Sequence, residues 1–477
     1  MTQDIETVES QPQQPVSSGN PFAEIVRKQR DFFNSGASKS AEFRIKQLKN
    51  LKEAFHKHHE NLEKALYEDL RKSKTEAFAT EIGIMIAEIE HNMKNIRKWM
   101  QPKKVKTPLF FMPGKSRIHY EPFGVSLIIS PWNYPVKNLF GPVLGAMTAG
   151  NCSVLKPSEV SPYTSAVAKK MVDEFFDPEF MTVVEGGVPE TSELLKLKWD
   201  YIFFTGGTEI GRIIYQAAAK QLAPCTLELG GKSPTIVDKD INLDVTAKRL
   251  CWGKFVNAGQ TCVAPDYLLV HKDIKQKLIE KLKETINEFY GENPAESPDL
   301  GRIISDRHYN RIKNLIDGDV IFGGQCDESQ RYIAPTIIDN VSPDAKVMQQ
   351  EIFGPILPII EYENVDEAIA FINDREKPLA LYLFSNNENV RRKIIDNTSS
   401  GGVCINETIM HMASPEMPFG GVGNSGMGAY NGRFGFDTFS HKKPVMTRSF
   451  LFDVKQKYAP FNAKKLNFVK FALKRLI

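Results

Sequence analysis

Hydrophobic and polar positions follow two different periods along the chain, and the change of period divides it into two parts. From residue 22 to about residue 100, apolar residues recur at helical spacing, which predicts two or three long amphipathic helices. From residue 124 onward, short apolar runs bounded by Gly or Pro alternate with helix-like stretches. This second pattern predicts an α/β fold, with parallel strands covered by helices on both faces.

The short apolar runs fall into two series, which predict two sheets. The first series comprises 125–129, 152–155, 181–184, 201–204 and 235–237, with helical patterns such as 162–176 and 209–221 between the runs. The second comprises 267–270, 320–322, 356–360, 379–384 and 403–405, with helical patterns such as 275–290 and 366–373. The glycine-rich stretch 417–430 is predicted to be an irregular loop.

Composition narrows the class of protein. The chain has 477 residues, of which 42% are hydrophobic and 25% charged. These values predict about three globular domains and exclude a disordered polymer, a collagen-like fibre and a multi-span membrane protein. A net charge of only +3 gives nucleic-acid binding no general electrostatic support.

The cysteines and the N-terminus indicate the compartment. The six cysteines are scattered without the spacing of metal ligands, so we expect reduced thiols, no metal site and a cytoplasmic protein. The polar, proline-containing segment 1–21 is predicted to be disordered. The first 26 residues contain no Lys or Arg, which argues against a targeting peptide.

Three residues have surroundings that suit catalysis, although each also has a plain structural interpretation. Cys262 follows small residues and Gly259, which leaves a thiol accessible for nucleophilic attack, whereas a lone cysteine is more often structural. Glu228 lies between leucines and before two glycines. It is either a partly desolvated base or a solvated residue at the end of a strand. Asn133 lies between two prolines after a buried run, as a rigid oxyanion donor or part of a simple turn.

These residues belong to an ordered set of motifs by which the chain, from about residue 30 to residue 450, resembles the aldehyde dehydrogenase superfamily. Within it, the chain resembles the class 3 branch, which includes fatty-aldehyde dehydrogenases. The motifs are EPFGV (121–125), PWNYP (131–135), KPSE (156–159), FTGGTEIG (204–211), LELGGKSP (227–234), NAGQTC (257–262), EIFGP (351–355), PLALY (378–382) and PFGGVGNSGMG (418–428).

The resemblance implies NAD(P)-dependent oxidation of an aldehyde to a carboxylic acid. Cys262 would be the nucleophile, and the Asn133 side-chain amide and the Cys262 backbone N–H would hold the oxyanion. Glu228 would activate the water that hydrolyses the resulting thioester, because relatives that transfer the acyl group to coenzyme A lack this base.

The resemblance also implies the coenzyme and substrate contacts. Lys156 and Glu159 would bind the adenosine ribose, and Glu351 the nicotinamide ribose. Phe353 and Trp132 would line the nicotinamide site, and Gly206 and Gly207 would bring the N-terminus of a helix to the pyrophosphate. Many relatives have Ser or Asn at Gly207, so only backbone contact remains there. The Glu159 carboxylate would repel the 2′-phosphate of NADP, whereas the Lys156 ammonium would attract it. Because members of this class often accept both coenzymes, we expect NAD to be preferred and NADP to be accepted.

The implied walls of the substrate pocket are mostly apolar and suit medium- or long-chain aliphatic or aromatic aldehydes. They are Tyr134, Thr261, Ile409, Met410 and Phe419.

The same resemblance predicts the domains and a homodimer. The predicted parts are a disordered tail (1–21), an NAD(P)-binding Rossmann-like domain (22–103 and 123–228), a catalytic domain (229–435), a bridging and oligomerisation element (104–122 and 436–450) and a basic tail (451–477). A hairpin near 104–120 and a strand near 436–448 would form the bridging element.

The basic tail has two interpretations. Residues 441–477 contain ten Lys or Arg and one acidic residue, Asp453. As a helix, 463–477 would place apolar and basic residues on different sides, which favours weak contact with an anionic membrane surface. A helix docked on the protein or a loose end is the alternative.

Two other classes of function use parts of the same residue set. A thiol hydrolase or esterase would use Cys262 and Glu228 without redox chemistry, but it leaves Lys156 and Glu351 without a purpose. A catalytically inactive scaffold or membrane-associated binding protein would not need Cys262, Glu228 and Asn133 together. The sequence therefore favours the dehydrogenase.

Overall fold

The computed structural model describes residues 19–108, 111–451 and 453–474. The helices, in chain order, are α1 (Ala23–Asn34), α2 (Ala41–Leu70), α3 (Lys74–Ala77), α4 (Gly83–Trp99), α5 (Lys137–Ala149), α6 (Pro162–Phe175), α7 (Val188–Leu195), α8 (Thr208–Gln221), α9 (Leu243–Phe255), α10 (Lys275–Tyr290), α11 (Asp306–Lys313), α12 (Lys346–Gln349), α13 (Val365–Asn373), α14 (Glu388–Asn397), α15 (Gly432–Thr438) and α16 (Ala463–Lys474).

The strands, in chain order, are β1 (Lys103–Val105), β2 (Gly114–Pro122), β3 (Val125–Ile129), β4 (Cys152–Lys156), β5 (Met181–Val183), β6 (Tyr201–Thr205), β7 (Cys225–Glu228), β8 (Pro234–Val237), β9 (Tyr267–His271), β10 (Asp319–Phe322), β11 (Cys326–Asp327), β12 (Tyr332–Ile333), β13 (Thr336–Asp339), β14 (Ile356–Tyr362), β15 (Ala380–Phe384), β16 (Gly402–Ile405), β17 (Gly426–Met427) and β18 (Ser440–Arg448). The predicted α/β fold is confirmed. Strands β7 and β13 were not predicted, because each of these four-residue strands contains two polar residues and so lacks an apolar run.

The N-terminal helices form as the periodicity predicts. The Ser40 hydroxyl caps α2 by accepting a hydrogen bond from the Phe43 N–H at 3.1 Å. Leu48, Leu51 and Phe55 recur at helical spacing on the buried face of α2. A single π-helical turn, Phe78–Ile82, joins α3 to α4. These helices lie against the first sheet and share its hydrophobic core.

The first sheet is doubly wound and has the strand order β17-β7-β6-β3-β4-β5. Strands β3 to β7 are parallel, and the chain starts in the middle at β3, builds outward to β5 and then returns to add β6 and β7 on the other side. The strand order therefore reverses between β3 and β6. In open α/β sheets, ligands bind at the carboxyl ends of the strands at such a switch point.

The second sheet has the order β10-β13-β14-β9-β8-β15-β16 and is parallel except at its β10 edge. The grouping of 235–237 with the first series of apolar runs is wrong, because β8 pairs with β9 and β15 of the second sheet. The domain division predicted from the resemblance already placed this segment after residue 228, in the catalytic part. Only residues 229–233 separate β7 from β8, and a parallel neighbour in the same sheet needs a connection of a dozen or more residues. The chain therefore crosses from one sheet to the other at this point.

The glycine-rich stretch 417–430 is mostly irregular, as predicted, but it contains β17, which pairs antiparallel with β7. This pairing returns the second half of the chain to the edge of the first sheet. The register places Gly426 opposite Glu228.

A separate three-stranded antiparallel sheet has the order β1-β2-β18. The strand predicted near 436–448 begins later than expected, because α15 extends to Thr438 and β18 starts at Ser440. Helix α15 packs on α5 with Gly145 and Gly435 in contact, and an added Cβ at Gly145 would lie 3.2 Å from the Gly435 backbone.

At the two ends of the chain, only parts of the predicted segments are described. Most of the predicted disordered segment 1–21 lies outside the described residues, and at its end the Asn20 side chain donates a hydrogen bond to the Glu193 carbonyl at 2.9 Å. Helix α16 in the basic tail has no buried residue. Among the helices of the described residues, none is both long and apolar enough to span a membrane.

Candidate active site

A cavity of about 1120 Å³ opens at the switch point of the first sheet and extends to the second sheet. Two of its walls follow directly from strand ends, since Pro131 to Tyr134 come after β3 and Gly206 and Gly207 come after β6. The predicted site residues that line it are Trp132, Asn133, Tyr134, Gly206, Gly207, Glu228, Thr261, Cys262, Glu351, Phe353 and Phe419. The fold thus brings together residues that are more than 280 positions apart in the sequence.

Cys262 reaches the cavity through a tight turn at the end of α9. Asn257 and Ala258 adopt left-handed backbone angles, with φ of 53° and 50°, and Gly259 has φ of 75°. A Cβ at Gly259 would lie 2.3 Å from the Gly354 carbonyl oxygen, so only glycine fits there. The thiol is partly exposed, and burial, with Glu351 and Glu228 nearby, raises its pKa to about 12. The resting thiol is therefore protonated at neutral pH.

Glu228 is the last residue of β7, and its side chain is buried in the cavity wall. Both carboxylate oxygens lack a hydrogen-bond partner among the described residues. Burial raises the pKa of Glu228 well above its ordinary value, because the charged form is removed from water. Once it has lost its own proton, the carboxylate is a stronger base than an exposed one and can take a proton from a water molecule that enters the cavity.

The Asn133 side-chain amide is oriented by bonds on both of its ends. Its Nδ2 donates to the Gln260 carbonyl at 3.1 Å, and its Oδ1 accepts a bond from Asn138 Nδ2 at 3.3 Å. An amide nitrogen carries two hydrogens, and one of them is left for a ligand. Because Gln260 lies two residues before Cys262, the same bond couples the amide to the loop that carries the thiol.

The site residues fit a dinucleotide coenzyme. Gly207 precedes α8, no side chain caps this helix, and an added Cβ at Gly207 would meet no atom within 4 Å. A helix N-terminus with open space before it binds phosphate through backbone N–H groups. Beside it, the rings of Trp132 and Phe353 meet edge to face at 5.3 Å between centroids. Burial and the nearby Asp266 raise the pKa of Glu351 to about 8.

Lys156 and Glu159 do not line this cavity, although Lys156 ends β4 on the same edge of the sheet. The Lys156 ammonium donates to the Pro157 carbonyl at 2.7 Å and lies 3.6 Å from Glu159 Oε2. Burial lowers the pKa of Lys156. The two residues form a separate cluster at the outer part of the strand edge.

The residues predicted for the substrate pocket separate into two groups. Tyr134 and Thr261 are buried and joined by a hydroxyl–hydroxyl bond of 2.7 Å, and Phe419 lies with them on the cavity wall. Ile409 and Met410 do not line the cavity. Ile409 has φ of 61°, an unusual angle for a β-branched residue, and 52% of the Met410 surface is exposed. The turn at Ile409 directs the loop so that Met412 lines the cavity instead.

His308 is a cavity residue that the sequence did not reveal. Its ring lies against Trp132 with 4.8 Å between centroids, and its Nδ1 is buried without a partner among the described residues. Burial and the neighbouring Arg311 and Arg307 lower the pKa of His308 to about 4, so the ring is neutral. No local motif marks this position, because it lies in the first turn of α11, far from the recognised motifs.

A doubly wound sheet with a thiol-bearing cavity at its switch point is the arrangement of a dinucleotide-dependent oxidoreductase that works through cysteine. The sequence profile of the aldehyde dehydrogenase family matches residues 11–445, and the chain belongs to this family. It is an NAD(P)-dependent aldehyde dehydrogenase.

The relatives place the chain near family 3. The 4,4'-diaponeurosporen-aldehyde dehydrogenase of Staphylococcus aureus (strain NCTC 8325 / PS 47) is 50% identical over 421 residues, covering 88% of this chain and 92% of the relative. The dimeric NADP-preferring aldehyde dehydrogenase of Mus musculus is 48% identical over 446 residues, covering 93% and 98%. Aldehyde dehydrogenase family 3 member A2 of Macaca fascicularis is 47% identical over 453 residues, covering 94% and 93%.

The fold agrees with a solved structure. The structure described as the substrate-bound state of Staphylococcus aureus AldH superposes with a TM-score of 0.92 at 47% identity, covering 94% of this chain and 99% of that chain. The class 3 resemblance and the α/β aldehyde dehydrogenase fold are therefore confirmed.

Proposed function

We propose that the chain oxidises medium- or long-chain aliphatic or aromatic aldehydes to carboxylic acids through Cys262, Asn133 and Glu228. The observation that carries the proposal is that these three residues, from three separate motifs, line one cavity at the carboxyl ends of β3 and β6. The residues have complementary chemistry, since one is a nucleophile, one a hydrogen-bond donor and one a proton acceptor.

The first half of the reaction builds a covalent bond to the enzyme. The Cys262 thiol gives its proton to solvent, and the thiolate attacks the aldehyde carbon, which gives a thiohemiacetal. The free hydrogen of the Asn133 amide and the Cys262 backbone N–H stabilise the oxyanion. NAD(P), held beside Trp132, Phe353 and the N-terminus of α8, would supply the hydride acceptor that converts the thiohemiacetal on Cys262 into a thioester.

The second half of the reaction removes the acyl group. Glu228 takes a proton from a water molecule, and the water oxygen attacks the thioester carbonyl. The sulfur leaves as a thiolate and takes the proton held by Glu228, which restores both groups, and the product is a carboxylic acid. The absence of hydrogen-bond partners at Glu228 among the described residues supports this role, because its oxygens are available to water.

NAD is proposed as the preferred coenzyme, with NADP accepted. The carboxylate of Glu159 lies 3.6 Å from Lys156 and would repel a 2′-phosphate, while the lysine would attract it. A relative named for its NADP preference supports the acceptance of both coenzymes.

The substrate class is tested with a panel of aldehydes. Reduction of NAD and NADP is followed with aldehydes from two to sixteen carbons and with benzaldehyde, beside the Cys262→Ala variant. Turnover that requires Cys262 and rises with chain length supports the proposal. A short-chain optimum contradicts the substrate class, and the lack of coenzyme reduction with every aldehyde contradicts the roles of the three residues.

A homodimer is proposed through β18. This nine-residue strand lies at the edge of the three-stranded sheet, and one side of its backbone has no partner strand among the described residues. The relative named as dimeric supports this state. Sedimentation equilibrium at micromolar concentration should give twice the monomer mass, and a monomer would contradict the proposal.

The cytoplasm is the proposed location, with weak contact to a membrane surface through α16. All six cysteines are free, as expected in a reducing compartment. Four apolar side chains of α16 are exposed among its lysines, namely Leu466, Phe468, Phe471 and Leu473. Sedimentation with vesicles containing anionic lipid should carry down the full chain but not a chain truncated after Pro460. Equal sedimentation of both would contradict this contact.

A further inference from the structure

Two lysine–glutamate pairs are buried between the N-terminal helices and the segment that follows β3. Lys72 Nζ lies 2.5 Å from Glu81 Oε1, and neither side chain has any exposed surface. Lys137 Nζ lies 2.7 Å from Glu88 Oε1, and these side chains are almost fully buried. A buried ion pair adds little net stability compared with apolar side chains of similar volume. The two pairs differ in what else they contact.

The Lys72–Glu81 pair binds the backbone on both sides of Pro135. Lys72 Nζ donates a second hydrogen bond, to the main-chain oxygen of Asn133 at 3.1 Å. Its ammonium also lies 3.9 Å from the centroid of the Tyr134 ring. Glu81 Oε2 accepts a bond from the Val136 N–H at 2.8 Å, next to the start of α5. The pair therefore fixes the backbone of Asn133 and of the residues that follow it.

The same Asn133 carbonyl is also held by the loop that carries the thiol. Asn257 Nδ2 donates to the Asn133 main-chain oxygen at 2.8 Å and to the Gln260 carbonyl at 3.1 Å. The Asn133 side chain donates to the same Gln260 carbonyl. Two donors on one carbonyl restrict rotation of that peptide, and this rotation is what would swing the Asn133 side chain out of place.

Glu81 reaches this position from a single π-helical turn. The turn, Phe78–Ile82, interrupts the helical path between α3 and α4. Such turns are rare in proteins as a whole, but those that occur are often found at functional sites. The extra residue in the turn changes the direction in which a side chain leaves the helix. The turn is thus a local departure from regular structure at the residue that pairs with Lys72.

We propose that Lys72 and Glu81 are positioning residues that hold Asn133 in the geometry needed to stabilise the oxyanion. The proposal rests on the oxyanion role proposed for Asn133. Displacement of a catalytic group by about 1 Å costs on the order of 100-fold in rate. Removing the Lys72 bond should therefore lower kcat by about 10- to 100-fold and leave the KM for the coenzyme unchanged.

The test compares matched double variants of the two pairs. Lys72→Met with Glu81→Gln removes both charges and the bond to Asn133, while the amide oxygen introduced by Glu81→Gln can still accept a hydrogen bond from the Val136 N–H. Lys137→Met with Glu88→Gln makes the same changes in the pair whose side chains make no hydrogen bond to Asn133 among the described residues. Thermal unfolding, kcat and the coenzyme KM are measured for both, and each is combined with Asn133→Ala.

The proposal predicts a specific and non-additive effect. The Lys72 double variant should lose about 10- to 100-fold in kcat, and the Lys137 double variant less than about threefold at a similar melting temperature. On the Asn133→Ala background, the Lys72 changes should cause no further loss, because both act through one amide. Equal losses of kcat in the two double variants would overturn the positioning role. So would a further loss of kcat when the Lys72 changes are added to Asn133→Ala. Neither result would affect the oxyanion role of Asn133.

Two controls separate the remaining outcomes. A parental kcat for Asn133→Ala would overturn the oxyanion role of Asn133, and the positioning role with it. If the Lys72 double variant does not fold, Glu81→Gln alone is measured. It weakens the hold on the Lys72 ammonium and should lower kcat by about threefold to tenfold with the coenzyme KM unchanged, and it should cause no further loss on the Asn133→Ala background. A kcat equal to that of the parent, in a variant that melts like the parent, would overturn the positioning role.

Discussion

Replacing Glu228 with Gln removes an ionisable carboxyl group from the cavity wall with almost no change of side-chain volume. Glu228 is only 3% exposed, and its two oxygens have no partner among the described residues, so no hydrogen-bond network is broken. The change therefore isolates the loss of a proton acceptor. A positioned general base contributes about 10²- to 10⁴-fold in rate, which corresponds to about 3 to 5 kcal/mol in the barrier.

The proposed mechanism predicts which step slows. The Glu228→Gln variant should still form the thioester, because Cys262 and Asn133 are intact, but it should hydrolyse the thioester about 10²- to 10⁴-fold more slowly. In rapid mixing, reduced coenzyme should appear as a burst that approaches one equivalent per Cys262, followed by a much slower steady state. An unchanged steady-state rate, or a burst slowed as much as the steady state, would refute the assignment of Glu228 to hydrolysis.

The same variant has a predictable effect on stability. The raised pKa means that the folded protein holds the Glu228 proton more tightly than the unfolded chain, whose pKa is near 4.5. The contribution of Glu228 to the free energy of unfolding is therefore fully present below pH 4.5 and is lost as pH rises through the raised pKa. The Gln side chain does not ionise, so the variant is not destabilised in this way, and its melting temperature relative to the parent should rise with pH. A constant difference from pH 5 to 9 would contradict the buried, neutral carboxyl group.

Three further predictions follow from the site. The thiol pKa of about 12 predicts that alkylation of Cys262 by iodoacetamide accelerates about tenfold per pH unit between pH 7 and 9 without coenzyme, and a plateau below pH 8 would contradict it. Glu159→Gln should raise kcat/KM with NADP relative to NAD by about tenfold, because the carboxylate that repels the 2′-phosphate is gone and Lys156 remains. An unchanged ratio would show that Glu159 does not select the coenzyme. Phe419→Ala should raise the KM of a long-chain aldehyde by about tenfold, because apolar contact is lost. Met410→Ala changes a residue outside the cavity and should leave this KM unchanged. A larger effect from Met410→Ala than from Phe419→Ala would contradict the observed pocket wall.

Much of the fold could be predicted from local pattern. The run 125–129 coincides with β3, and the pattern 275–290 coincides with α10, because apolar periodicity reports which face of an element is buried. The start of β18 could not be predicted in the same way. Residues 436–438 have a helical conformation because α15 packs on α5, and this contact joins segments almost 300 residues apart.

The candidate site shows the same division. Cys262, Glu228 and Asn133 could be named because each lies in a short motif whose residue types suit one chemical role. The position of Met410 could not be predicted, because it depends on the backbone angles of Ile409 in a loop without periodicity. His308 and Lys72 were missed for a related reason, since each acts through partners that are distant in sequence.

The sequence by itself determined the elements and the chemistry, that is, where strands and helices form and which side chains can attack, donate and accept protons. Only the tertiary structure decided how they meet. It returned β17 to pair with β7 and brought Glu228 and Cys262 to one cavity. The physical reason is that secondary structure follows from interactions between near neighbours in the chain. The site depends on strand pairing and on the burial of groups that the whole fold must satisfy together.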